Sequence, residues 1–102
     1  MNDKELIEFA AKAHGNCKYF NDAWRCAETG YREFNPLSDD GDALRLMVKL
    51  NLDVNVGTKF TRVLSKPLDT GVKAMIDNRL SKLESTRLAI TIAAAKIGKS
   101  NC

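Results

Sequence analysis

The sequence predicts an α+β protein in which a small antiparallel sheet packs against about three helices. Apolar residues recur at helical spacing in three separate segments, whereas residues 52–56 alternate apolar and polar as a half-buried strand does. A helix with one apolar stripe and a sheet with one apolar face bury these apolar surfaces most simply by packing against each other. The chain has 102 residues, and we expect one domain, residues 1–102.

The first helix is expected to run from about Asp3 to His14. Asn2 and Glu5 have the spacing of a capping box, and Gly15 stands where a left-handed residue commonly ends a helix. The apolar positions at helical spacing between these signals are Leu6, Phe9, Ala10 and Ala13.

Residues 16–34 place cysteines and aromatic residues among polar ones, which is typical of short strands. We predict a hairpin with strands near Ala23–Ala27 and Tyr31–Phe34, turned at Gly30 because glycine accepts positive φ. The single tryptophan, Trp24, is expected in the core. If Trp24 or Tyr31 instead projects from the hairpin, it would suit a protein-binding hot spot.

The second helix has the clearest start signals in the chain. Pro36 ends any preceding strand because it has no N–H to donate, and Ser38 or Asp39 can cap the helix that follows. Its apolar stripe is predicted to consist of Leu44, Met47 and Val48, widened by Ala43, Leu46 and Leu50, with Arg45 and Lys49 facing outward.

Three strands are expected next, at Leu52–Val56, Phe60–Leu64 and Val72–Ile76. The third also has helical spacing at positions 72, 75 and 76, but Gly71 and the preceding loop favour a strand in an antiparallel meander. A final helix follows, capped by Ser81 or Ser85. We expect it to end at Gly98 and to bury a stripe of Leu88, Ile92 and Ala95.

Two blocks of the chain carry a family resemblance. Residues 35–50 read NPLSDDGDALRLMVKL, and residues 87–98 read RLAITIAAAKIG. In this order the blocks resemble small proteins of tailed bacteriophages and prophages described as the phage ABA sandwich domain. The chain departs from that pattern at Phe34, where tryptophan is common. The resemblance implies a phage or prophage origin and an α/β sandwich, and it implies no activity.

Composition predicts a cytosolic protein, and with the phage resemblance this implies the cytoplasm of a bacterial host. The longest mostly apolar run, residues 88–97, is much shorter than the roughly 20 residues of a membrane span, so no membrane association is expected. The first residues lack the order of a secretory signal. Three cysteines without CxxC spacing predict reduced thiols. Cys17 and Cys26 could still be neighbours on paired strands, and Cys102 could form intermolecular bridges.

The net charge of +3 is unevenly distributed. Residues 1–56 hold seven basic and ten acidic residues, whereas residues 57–102 hold nine basic and three acidic ones. Such polarity guides association with charged partners without identifying them. The acidic candidates for a protein contact are Asp39, Asp40 and Asp42, although their plainer role is to place negative charge at a helix N-terminus.

No residue set predicts catalysis, a cofactor or a metal. The acidic residues lack the ligand spacing of a calcium loop. His14, Cys17 and Cys26 have zinc-compatible side chains, but a fourth ligand is missing and the spacing matches no common zinc motif. His14 also suits the C-terminal end of its helix as a partial positive charge.

We therefore expect a non-enzymatic phage accessory protein that binds a host or phage protein and inhibits a defence or regulatory complex. Its candidate contacts are the three aspartates with Trp24 and Tyr31. The alternative is a nucleic-acid-associated protein that uses the basic second half. The candidate contacts for that function are Lys59, Arg62, Lys66, Lys73, Arg79 and Lys82. A further alternative is a homo-oligomer, in which the Ala-rich face of the last helix packs against a second copy of the chain.

Overall fold

The computed structural model describes residues 1–64, 73–77 and 81–100. It has an α+β fold with three helices and two antiparallel sheets of three strands each. The predicted fold class is therefore confirmed, although the strands form two sheets. None of the helices in the described part of the chain combines the length and apolar character needed to cross a bilayer.

Helix α1 spans Asp3–His14, as predicted. The Asn2 side chain accepts a hydrogen bond from the backbone N–H of Glu5 at 2.8 Å, which satisfies one of the free N–H groups of the first turn. Gly15 ends the helix with φ 91° and donates its N–H to the Ala11 carbonyl.

The first sheet contains β1 (Cys17–Phe20), β2 (Ala23–Cys26) and β3 (Arg32–Glu33), in that order. Strands β2 and β3 form the predicted hairpin, connected by a 3₁₀ turn at Ala27–Thr29. Strand β1 was not predicted. A two-residue turn joins it to β2, with φ values of 51° at Asn21 and 62° at Asp22. Asn and Asp tolerate this left-handed conformation better than other non-glycine residues, so the turn forms without glycine.

A disulfide joins Cys17 to Cys26 across β1 and β2. The two residues face each other in the antiparallel register, with their Cα atoms 4.0 Å apart. The prediction of reduced thiols is therefore wrong for this pair, and the alternative, that Cys17 and Cys26 are neighbours on paired strands, is confirmed. Cys102 lies outside the described residues.

Helix α2 spans Asp40–Lys49, and the Asp39 side chain caps it by accepting the Gly41 N–H at 2.8 Å. The predicted apolar stripe is confirmed for Ala43, Leu46 and Met47 and wrong for Leu44 and Val48. Leu44 and Val48 are 55% and 65% exposed, whereas the buried positions are Asp42, Ala43 and Leu46. The buried Asp42 carboxylate accepts the Asn35 N–H at 2.9 Å, and this bond fixes which side of the helix faces the core.

The second sheet contains β4 (Asp53–Val56), β5 (Phe60–Leu64) and β6 (Lys73–Asp77), in that order. The predicted strand at Val72–Ile76 is confirmed as β6. Val72 itself lies outside the described residues. Thr61 and Val63 of β5 are fully buried, whereas Phe60 and Arg62 point to the opposite, exposed face.

Helix α3 spans Lys82–Ser100. Ser81 caps it, because its hydroxyl accepts the Glu84 N–H at 3.4 Å. In the predicted stripe Ala95 is buried, whereas Leu88 and Ile92 are half-buried. The helix continues past Gly98, so the expected end at this residue is wrong.

Gly98 instead allows α1 and α3 to approach closely. A Cβ atom at this position would overlap the carbonyl group of Phe9 in α1. Fully buried alanines pack the same part of the fold, including Ala10 of α1 and Ala94 of α3. The Ala-rich face of α3 is thus buried within one chain. The predicted packing of that face against a second copy is therefore wrong. The core shared by the elements includes Phe34, Leu46, Val63, Ala74 and Ile90.

Candidate functional site

Aromatic side chains cluster around the turn between β1 and β2. Tyr19, Phe20 and Tyr31 are 53%, 40% and 42% exposed, and Trp24 is half-buried beside them. We call these four residues the aromatic tip. The expectation that Trp24 lies in the core is met only in part, because its ring also borders a surface cleft. Tyr19 and Phe20 were not predicted as contacts, because the strand that carries them was not predicted.

The aromatic tip consists of two ring pairs on opposite faces of the hairpin. Tyr19 lies opposite Trp24 in the register, with ring centroids 5.6 Å apart and a T-shaped arrangement. Phe20 and Tyr31 form the second pair at 5.9 Å. Edge-to-face and tilted geometries of this kind are favourable between aromatic rings. Both pairs therefore hold their rings in defined positions while leaving ring surface in contact with solvent.

Arg25 holds the backbone of the tip in place. Its guanidinium lies 5.5 Å from the centre of the Phe20 ring, a cation–π distance. The Nε of Arg25 donates to the Phe20 carbonyl at 3.1 Å, and its two terminal nitrogens donate to the carbonyls of Asn21 and Tyr31. Two of these bonds go to non-glycine residues in the left-handed conformation, Asn21 with φ 51° and Tyr31 with φ 63°. The tip is thus an ordered structure rather than a loose loop.

A cleft of about 820 Å³ separates the aromatic tip from α1. Tyr19 and Trp24 line one wall, and Ile7 lines the other. Lys4, Glu8, Lys12 and Glu33 contribute charged groups around it. The cleft combines an apolar interior with charges of both signs, which suits a protein segment with mixed polarity better than a single small charged molecule.

The three candidate aspartates have separate structural roles. Asp42 is only 4% exposed, and its carboxylate also accepts a hydrogen bond from Arg45 Nη2 at 2.6 Å. Asp42 is therefore not accessible to a partner, and its predicted contact is wrong. Asp39 caps α2, and Asp40 forms an ion pair with Arg87 of α3. Asp39 and Asp40 remain exposed at this helix start.

The two sequence blocks that carry the family resemblance meet in the structure. Arg87 begins the second block, and its Nε donates to the carbonyl of Leu37 in the first block at 3.0 Å. Its Nη1 contacts the Asp40 carboxylate at 2.5 Å. Arg87 thus joins the start of α2 to α3. Within the described residues the two blocks therefore serve the fold.

The basic candidates for nucleic-acid binding are only partly described. Lys59, Arg62 and Lys82 are exposed. Lys73 lies on β6, whereas Lys66 and Arg79 fall outside the described residues.

Arg62 lies on the outer face of the second sheet together with the half-exposed ring of Phe60. By the strand register, Asp53 and Asp77 lie on this same face, so it carries charges of both signs. This mixture of charges makes the face less favourable for a phosphate backbone than Arg62 alone would be.

A second apolar surface, also not predicted, lies between α2 and the start of α3. Leu44, Val48 and Leu83 are each more than half exposed. Next to them, Met47, Val54 and Ile90 line a shallow cavity of about 270 Å³. The sequence does not show which face of α2 is exposed, because the helix has apolar residues on more than one side.

His14, Cys17 and Cys26 come together at the end of α1. One ligand atom from each residue lies within 4.8 Å of the others. His14 is 2% exposed and packs edge-on against Phe34, with ring centroids 5.9 Å apart. Its Nε2 lies 3.6 Å from Oε2 of Glu28, whereas its buried Nδ1 has no hydrogen-bond partner. Burial lowers the pKa of His14, and the nearby Glu28 carboxylate opposes this effect.

No protein-family model, curated protein or solved structure matches the chain. The site must therefore be interpreted from its own geometry. Three features define that geometry: the aromatic tip with its cleft, the apolar surface of α2, and the buried cluster of His14 with the two bonded cysteines.

Proposed function

We propose that this protein is a non-enzymatic accessory protein of a phage or prophage. In this proposal it binds another protein through the aromatic tip and thereby inhibits a host defence or regulatory complex. The observation that carries the binding function is the exposure of Tyr19 and Phe20 on β1 together with Tyr31, which packs against Phe20. The phage origin rests on the resemblance of residues 35–50 and 87–98.

The chemistry of the aromatic tip supports a protein partner. Tyr, Trp and Arg are the residue types most enriched at binding hot spots. Arg25 bonds to Tyr31 on one face of the hairpin, and Trp24 packs against Tyr19 on the other. Arg25 and the Cys17–Cys26 disulfide hold the hairpin in one shape before binding. Preorganisation lowers the entropy lost on association, so a small surface can still bind well.

An affinity experiment with matched variants tests this proposal. The tip variant combines Tyr19→Thr, which keeps strand propensity, with Tyr31→Asn, which tolerates positive φ. The control variant, Leu44→Gln with Val48→Gln, removes exposed apolar surface from α2 instead. Each tagged protein is incubated with lysate of a candidate bacterial host, and the recovered protein is then purified and titrated.

We expect the native chain and the control variant to bind the same partner with similar affinity. The tip variant should bind about 30-fold more weakly, because losing a hot spot costs about 2 kcal/mol or more. Circular dichroism checks that all three proteins are folded. Equal affinity of the tip variant, or loss of binding by the control alone, would count against the aromatic tip.

Nucleic-acid binding is a second candidate, favoured by one observation. Phe60 and Arg62 lie side by side on the exposed face of β5, and Lys59 immediately precedes them. An exposed ring beside cations can stack on a base while the cations contact phosphate. Titration with mixed DNA and RNA at two salt concentrations distinguishes this function, because phosphate contacts weaken steeply as salt rises. The variant Lys59→Gln with Arg62→Gln should then reduce both the affinity and its salt dependence.

A further inference from the structure

We propose that reduction of the Cys17–Cys26 disulfide creates a zinc site formed by these two cysteines and His14. The inference needs no partner protein, although the same disulfide also holds the hairpin of the aromatic tip. It starts from a cluster in which three side chains of the types that bind Zn²⁺ most strongly already lie within 4.8 Å of one another. Sequence spacing alone argued against zinc here, but strand register and the end of α1 assemble the cluster.

The unpartnered nitrogen of His14 indicates a ligand. Buried polar groups in folded proteins nearly always have a hydrogen-bond partner, yet His14 Nδ1 has none. The side chain is 1% exposed, so bulk water does not satisfy this atom. Because Nε2 lies near Glu28, Nδ1 is the nitrogen left to bind a metal ion, and binding would give it a partner.

Glu28 lies next to Nε2, the other nitrogen of the His14 imidazole, and orients the ring. Its Oε2 lies 3.6 Å from Nε2 of His14, and its Oε1 lies 3.6 Å from Nζ of Lys49 on α2. A carboxylate on the far side of a histidine favours the proton on that side and leaves the other nitrogen free to bind metal. Glu28 is thus a positioning residue for His14, and Lys49 helps to hold Glu28.

The hairpin geometry can accommodate the ion after reduction. Two thiolates on one zinc lie about 3.8 Å apart, given Zn–S bonds of about 2.3 Å at a tetrahedral angle. The Cα atoms of Cys17 and Cys26 are 4.0 Å apart, so rotation of the side chains can separate the sulfurs while the strands stay paired. With His14 as the third protein ligand, a water molecule completes four-coordination.

The chemical change is a two-electron reduction followed by metal binding. A dithiol reductant transfers two electrons and two protons to the disulfide, which breaks the S–S bond, forms two thiols and leaves the reductant as its own disulfide. Zn²⁺ then forms two Zn–S bonds, and the two thiol protons are released to solvent. Cys17 is only half-buried, which gives the reductant a route to the bond.

The test uses the full chain carrying Cys102→Ser, so that only Cys17 and Cys26 can supply thiols. One sample keeps the disulfide. The other is reduced with a water-soluble phosphine, which takes up the oxygen of a water molecule as its oxide, and excess phosphine is removed without air. Each sample competes with a chromophoric chelator for Zn²⁺. Co²⁺ is then used as a spectroscopic probe, because thiolate ligands give a sulfur-to-cobalt charge-transfer band.

We expect the reduced chain to bind one equivalent of Zn²⁺ and to show the charge-transfer band, and the disulfide form to do neither. Glu28→Gln should weaken zinc binding about 10-fold, the lower range for a residue that orients a ligand. His14→Gln should weaken it by roughly 100-fold or more. Lys18→Gln, on the opposite face of β1, is the matched control and should leave the affinity unchanged.

Alkylation provides a second measurement that needs no substitution within the cluster. Bound zinc should protect both Cys17 and Cys26 of the reduced chain from iodoacetamide. The proposal is overturned if the reduced chain does not compete with the chelator, if the disulfide form binds equally well, or if zinc leaves both cysteines reactive. Unchanged affinity in folded His14→Gln protein would remove His14 from the site.

Discussion

At the scale of single residues, buried polar side chains determine how the elements are placed. Asp42 bonds to the Asn35 N–H and to Arg45, which fixes the rotation of α2. Arg87 bonds to the Leu37 carbonyl and to Asp40, which ties α3 to the same turn. His14 differs from these residues, because one of its nitrogens is buried without a partner.

We predict that His14 makes stability depend on pH below neutrality. Burial lowers its pKa in the folded protein from the usual value of about 6.5, so the unfolded chain takes up a proton first as the pH falls. The free energy of unfolding should therefore be constant above about pH 7 and decrease below about 6.5. The slope from one proton is at most about 1.4 kcal/mol per pH unit.

Urea titrations of the metal-free disulfide form at a series of pH values measure this dependence. The variant His14→Gln serves as the control, since glutamine does not titrate. Its stability should change less between pH 7 and 5 than that of the native chain. Parallel curves for the two proteins would show that another group causes the change.

At the scale of elements, the approach of α1 to α3 depends on small residues. Gly98 faces the Phe9 carbonyl, where a side chain has no room. Buried alanines on both helices maintain the same short separation. The sequence pattern suggested that Gly98 ends α3, but glycine here meets a packing requirement within the helix.

We predict that Gly98→Ala destabilises the protein despite the higher helix propensity of alanine. The propensity gain of about 1 kcal/mol is outweighed, because the added methyl group must push α1 away, and overpacking costs about 1–3 kcal/mol or more. Thermal unfolding followed by circular dichroism gives the result. Ser100→Ala, at an exposed position near the end of α3, should be nearly neutral. An unchanged or raised melting temperature for Gly98→Ala would contradict the tight contact.

Local signals predicted the elements well, and contacts between distant residues explain what they missed. Asn2, Glu5 and Gly15 define α1 through bonds within a few residues, so its ends were predicted correctly. The turn at Asn21 and Asp22 lacks the glycine that usually marks a tight hairpin, so β1 was overlooked.

The candidate site was less predictable than the elements. In α2, both the Leu44–Val48 side and the Leu46 side are apolar, and only the tertiary bond of Asp42 selects the buried one. Trp24 lies on β2 as predicted, whereas Tyr31 precedes β3 rather than beginning a strand. The exposure of their rings, however, depends on how the first sheet packs against α1, and the local sequence does not indicate this packing.

At the scale of the whole molecule, the fold combines one sheet that carries a disulfide with a second sheet that does not. The bond closes a short loop, because only nine positions separate Cys17 from Cys26. The main core, by contrast, draws on α1, α2, α3 and both sheets. Most of the stability should therefore persist when the bond is broken.

We predict that reduction lowers the free energy of unfolding by about 2–3 kcal/mol, the value expected for a closed loop of this length. Denaturant curves of the Cys102→Ser chain, with and without phosphine and in the presence of a chelator, measure the difference. The reduced chain should still unfold in one cooperative transition. Loss of that transition would mean that the disulfide is required for the whole fold.

The pairing of α1 with α3 also affects how the chain folds during synthesis. Residues 3–14 are synthesised before α3, and the helix that covers them is complete only at residue 100. At roughly 5–20 residues per second, α1 waits about 4–17 seconds for α3. Its apolar face stays uncovered in the nascent chain during that interval, so the final core should close only once translation of the last helix is finished.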